Sequence, residues 1–80
     1  MYNYISGKIA EITPSYVVVD NNGIGYLIEI SLNTYTQIKD LNDVKLLVHY
    51  VVREDAHLLF GFYEENERAL FRNLINVSGV

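Results

Sequence analysis

Apolar and polar positions alternate with a period of two up to Phe62, and change to helical spacing after Tyr63. In the first stretch, Tyr2 to Ile12, one strand face carries Tyr4, Ser6, Lys8, Ala10 and Ile12, and the other carries Ile5, Gly7, Ile9 and Glu11. Gly7 predicts a bend or bulge there, and a long first strand that coils through a glycine can pair with two neighbours in succession, as in small closed barrels. Thr13-Pro14-Ser15 ends this strand. Tyr16 to Asp20 is a short β-branched strand, and Asn21-Asn22-Gly23 supplies the positive-φ residues of a tight hairpin. Ile24 to Ile30 returns, with Tyr26, Ile28 and Ile30 facing the core. Ser31 to Ile38 fits a short helix with Ser31 or Asn33 as its N-cap, and Lys39 to Asp43 is a polar turn.

The second hairpin organises the rest. Val44, Leu46, Val48, Tyr50 and Val52 alternate with Lys45, Leu47, His49, Val51 and Arg53, and after the turn Leu58, Phe60 and Phe62 alternate with His57, Leu59 and Gly61. Arg53 to Ala56 is left to turn the chain, which puts Glu54 and Asp55 at the end of a rigid hairpin. Beyond Tyr63, Leu70, Phe71, Leu74 and Ile75 make the apolar stripe of an amphipathic helix. Its first turn is acidic, Arg68 and Arg72 follow in the sense that suits the helix dipole, Asn76 to Val80 stops it, and Gly79 stands where a C-terminal cap belongs. Five strands with a helix before the fourth and another at the end predict a mainly β fold, a five- to six-stranded Greek-key barrel of the OB type. A β-grasp or SH3-like barrel would share the pattern.

Composition narrows the function. Eighty residues make one small domain. With no cysteine there is neither a disulfide framework nor a thiolate metal site, and no apolar run nears the roughly 20 residues of a membrane span. A soluble, cytoplasmic protein is expected. A net charge of −4, with six basic residues scattered along the chain, argues against this segment gripping phosphate by itself. Seven tyrosines suit strands and half-buried interfaces.

Candidate chemistry is sparse. Gly23 and Gly25 lack the third glycine and the following helix of a phosphate loop, so they read as a structural turn. His49, Asp55 and His57 do not make a convincing set of metal ligands. Ser6, Ser15, Ser31 and Ser78 have no partner in a nucleophile motif. No cofactor motif and no catalytic constellation emerges. Glu54 and Asp55 remain, an acidic pair in a turn where solvated carboxylates are common.

The run from Val51 to Phe62, the first strand with Gly7, the Asn22-Gly23-Ile24-Gly25-Tyr26 turn and the helix from Glu67 to Ile75 together resemble, in that order, the first domain of the RuvA family. Its members are the junction-binding subunits of bacterial Holliday junction branch-migration complexes. The resemblance implies an OB-fold domain over residues 1–63 that assembles as a homotetramer, with residues 64–80 opening a helix-hairpin-helix DNA-binding domain. In that domain, glycine-rich hairpins offer backbone N–H groups to phosphate, and Gly79 would be the first such glycine. It implies that Glu54 and Asp55 form an acidic pin at the tetramer centre, and that Arg53 offsets their charge or touches a phosphate. The expected partners are four-way junction DNA, a RuvB-type ATPase motor that supplies the hydrolysis, and a RuvC-type resolvase. A stand-alone OB module that binds proteins, or stacks single-stranded DNA on Tyr4, Tyr26 and Tyr50, is the competing reading.

Overall fold

The structure, a computed structural model, describes residues 2–78. Strands β1 (Tyr4–Ile12), β2 (Tyr16–Asn21) and β3 (Ile24–Ile30) precede helix α1 (Leu32–Ile38); β4 (Asp43–Val52), β5 (His57–Phe62) and helix α2 (Glu65–Ser78) follow. The strands close into a barrel in the order β1-β2-β3-β5-β4. Neighbours are antiparallel except β3 and β5, which run parallel through Glu29 opposite Phe60 and Ile30 opposite Gly61. This is the OB barrel that the spacing predicts.

The long first strand pairs twice, as expected. Tyr4 to Lys8 lie against β4 and Lys8 to Ile12 against β2. The bulge is not at Gly7, however; the register slips between Ile9 and Glu11. That extra residue changes the inward parity, so Ile5 and Ile9 face the core before it and Ile12 after it. Gly7 answers a different need. A Cβ there would lie 2.2 Å from the Asp20 carbonyl oxygen, so two backbones approach where no side chain fits.

The β2–β3 turn has Asn22 at φ 52° and Gly23 at φ 92°, the left-handed pair of a two-residue hairpin, and the Asp20 carboxylate accepts from the Gly23 N–H at 2.8 Å. Ser31 caps α1, its hydroxyl oxygen accepting from the Thr34 N–H at 3.1 Å. Ile5, Val17, Val19, Ile28, Ile38, Val44, Leu46 and Val48 fill the interior. Burial of each larger aliphatic side chain here contributes about 2 kcal/mol. Gly61 makes room for this packing, since a Cβ on it would meet Ile28 at 2.4 Å.

The last helix departs from expectation in two ways. It runs through Asn76 and Val77 to Ser78 instead of stopping at Asn76, and Gly79 lies outside the described residues. Its inward stripe is also different. Phe71 packs on the barrel as predicted and Ile75 is half-buried, but Leu70 and Leu74 are 59% and 61% exposed, and Arg68 is buried in their stead.

Candidate nucleic-acid interface at the hairpin tip

Residues 43–47 of β4 pair with β1, and Phe60 and Gly61 of β5 pair with β3. Beyond these residues the β4–β5 ladder continues alone, through Tyr50 opposite Leu59 and Val51 opposite Leu58 to Val52 opposite His57. A two-stranded ribbon thus leaves the barrel, with Arg53 to Ala56 as its tip. Isolated two-stranded ribbons are marginal in water, so this one needs support on both faces.

Each face receives it. On one, the Phe71 ring of α2 packs on His49 at 5.5 Å and on Phe60 and Phe62 at 5.2 Å. On the other, Tyr2 stands edge-on to Tyr50 at 5.5 Å, and the Tyr50 hydroxyl bonds His57 Nδ1 at 2.6 Å. Arg68 secures the root. Its guanidinium donates to the Asn3 carbonyl at 2.9 Å and side-chain oxygen at 2.8 Å, while the Asn3 carbonyl also accepts from the Val48 N–H at 3.0 Å. Glu65 pairs with the same guanidinium, which holds the Glu65 carboxyl below its ordinary pKa. Just before Arg68 in the chain, Glu67 ties α2 to the start of α1, accepting from the hydroxyls of Ser31 and Thr34, the latter at 2.8 Å.

The two histidines lie on opposite faces of the ribbon, since His49 is opposite Phe60 and His57 opposite Val52. They do not converge, and among the described residues no group of three His, Asp or Glu side chains is placed to hold a metal. His49 accepts from Arg72 Nε at 3.2 Å. Partial burial, with Arg72 and then Arg68 beside it, lowers its pKa from the ordinary 6.5.

At the tip, the Arg53 N–H donates to the Ala56 carbonyl at 2.8 Å and closes the turn. Arg53, Glu54 and Asp55 are all exposed. Among the described residues the ion pair is Arg68 with Glu65, so none of the three tip charges is neutralised within the chain. Three adjacent charged side chains thus stand exposed at the end of a braced projection. The bracing itself, through Arg68 and Glu67, is absent from the sequence-based expectation. The i, i+3, i+4, i+7 series Arg68, Phe71, Arg72, Ile75 was the available signal, concealed because two of its members are cations.

Among the described residues no helix is long and apolar enough to cross a membrane. The chain matches the model of the RuvA N terminal domain over residues 1–61. It is 47% identical over 81 residues to the Holliday junction branch migration complex subunit RuvA of Streptococcus mutans, covering 100% of this chain and 41% of that protein. The subunits of the same name from Bacteroides fragilis and Christiangramia forsetii are each 49% identical over 80 residues, again across the whole chain, and are covered to 40% and 42%. The chain therefore spans about two-fifths of the length of these relatives. On the match over residues 1–61 and these identities, the chain belongs to the RuvA N-terminal domain family.

Proposed function

We propose that this chain is the barrel domain of a non-catalytic subunit that binds four-way junction DNA, holds it open and planar, and supports branch migration driven by a separate RuvB-type ATPase. The observation that carries the reading is the braced ribbon with Glu54 and Asp55 exposed at its end and in no ion pair among the described residues, in a chain whose relatives are named as junction branch-migration subunits. Screening limits a charge's reach to about 8 Å at physiological salt. A carboxylate meant to repel phosphate must therefore be carried to it, which a projecting ribbon does. Four copies around an axis bring their tips together at the crossover, where repulsion between carboxylates and phosphates disfavours closed duplex and keeps the arms apart. Arg53 moderates the crowding of like charge or takes a phosphate beside it.

Residues 1–63 serve as the assembling barrel and residues 64–80 begin the helix-hairpin-helix domain, with Gly79 offering its N–H to a phosphate. An apolar groove of about 470 Å³ between α2 and the barrel, edged by the exposed Leu70 and Leu74, supports assembly, because patches of this kind mark contact surfaces. A RuvC-type resolvase acts on the open junction that this assembly presents. The test uses the full-length protein carrying Glu54→Gln with Asp55→Asn. Junction binding persists and branch migration with the motor changes; unchanged migration would refute the role given to the two carboxylates.

A further inference from the structure

A second feature lies on the ribbon's other side. A recess of about 380 Å³ between the start of β1 and the β2–β3 hairpin is bounded by Tyr2, Tyr4, Ile5, Ser6, Asn21 and Tyr26. Three of the six are aromatic, and Tyr2 and Tyr4 are 45% and 51% exposed. Tyr2 stands edge-on to Tyr26 at 6.2 Å and to Tyr50 at 5.5 Å, and Tyr50 leans on His57 at 5.9 Å. The rings form one row from the recess to the first residue of β5, immediately after the acidic tip. The Asn21 amide nitrogen donates to the Ser6 carbonyl at 2.7 Å, which leaves the amide oxygen and the Ser6 hydroxyl available for other partners.

Charge is distributed to match. Arg68 and Arg72 are engaged beneath α2, whereas Lys45 lies 4.5 Å above the Tyr4 ring and Lys8 lines an adjoining hollow that shares Ser6 and Asn21 with the recess. Aromatic faces with amide and hydroxyl groups in the recess, one ammonium ion over its Tyr4 rim and a second in the adjoining hollow, which Asp20 also lines, suit a nucleotide, whose base stacks, whose edge hydrogen-bonds and whose phosphates take cations. Duplex DNA hides its base faces. Only an unpaired base can use these rings.

We infer that the recess holds an unpaired base of single-stranded DNA, with Lys45 and Lys8 at its flanking phosphates, and that the row Tyr2, Tyr50, His57 leads a separated strand from the tip towards it. The second clause rests on the function proposed above; the first does not.

The test titrates the 80-residue chain with a short labelled oligothymidylate at low salt and with a duplex of equal length. The single strand binds better and quenches tyrosine emission. Tyr2→Ala weakens binding about tenfold, within the range for one lost base–aromatic stack, and Tyr2→Phe, which keeps the ring, restores it. Lys45→Gln reduces the slope of log affinity against log salt by about 0.7, the share of one phosphate contact. Tyr2 precedes β1 but braces the ribbon, so a thermal melt of the same sample checks that Tyr2→Ala keeps its fold, and Tyr2→Phe keeps the brace as well as the ring. Equal affinity of Tyr2→Ala and the unaltered chain, equal binding of duplex, or no binding to the single strand overturns the inference. No junction enters this assay, so its failure leaves the proposed function standing.

Discussion

The barrel interior and the ribbon tip follow opposite physical rules. Inside, Val17, Val19, Ile28, Ile38, Leu46 and Val48 have no solvent exposure, and close approaches such as Gly61 to Ile28 leave no slack. At the tip, Arg53, Glu54 and Asp55 are exposed, and among the described residues none of their side chains is in an ion pair. Interior residues are explained by the fold they stabilise. Tip residues are not, because an exposed carboxylate without a partner adds little to stability and crowds its neighbour of like sign. The structure between the two, Arg68, Phe71 and Tyr2, transmits the rigidity of the one to the other. Charge at the tip is therefore the part of the molecule free to serve something outside it.

Substitutions can break this contrast, beginning with the core. Leu46→Ala, which empties a fully buried site, costs about 3 kcal/mol in urea unfolding. A loss near zero would mean that the interior is not packed as described. Arg68→Met keeps much of the volume but removes the bonds to Asn3, and costs about 2 kcal/mol, typical for hydrogen bonds to a charged group. Its signature is local: amide hydrogen exchange accelerates along residues 48–52 and 57–59 before it does in β2, and uniform acceleration would deny Arg68 its bracing role.

A smaller effect depends on pH. The folded protein lowers the His49 pKa, so below the ordinary value of 6.5 the unfolded chain takes up a proton that the folded one resists. Stability is full above that value and declines as pH falls through the lowered one. A thermal melting series shows this decline, and His49→Gln, which can still accept from Arg72, flattens it. An identical pH profile in the variant would place the titrating group elsewhere. Smallest of all, Glu54→Gln with Asp55→Asn shifts unfolding free energy by no more than about 0.5 kcal/mol. A large loss would make the tip structural after all.

Much of this was legible in the chain itself, because period-two alternation and turn chemistry are local. Val44 to Val52, Asn22-Gly23 and Ser31 each report their structure through neighbours within a few residues. Long-range matters were not legible. Gly7 looked like a bulge because its true reason, the Asp20 carbonyl, lies across the sheet, and the slip at Ile9 and Glu11 follows from pairing with β2. Arg68 read only as a cation suiting the helix dipole, because nothing local shows that Asn3 and Val48 arrive to receive it. The aromatic grouping was half visible. Tyr4, Tyr26 and Tyr50 stood out by alternation, but Tyr2, which touches both Tyr26 and Tyr50, precedes the first strand and carries no pattern. At the tip, sequence and structure agree on position and exposure, while the role proposed for the carboxylates rests on the family resemblance.

The central claim is that the two tip carboxylates act on DNA and not on the fold. Its most direct test places 2-aminopurine at the crossover of a four-way junction and compares the full-length protein with its Glu54→Gln, Asp55→Asn form at saturating concentration. The account predicts that the unaltered protein brightens the probe by unstacking it, and that the variant binds the junction but leaves the probe quenched. Equal brightening by both would contradict it.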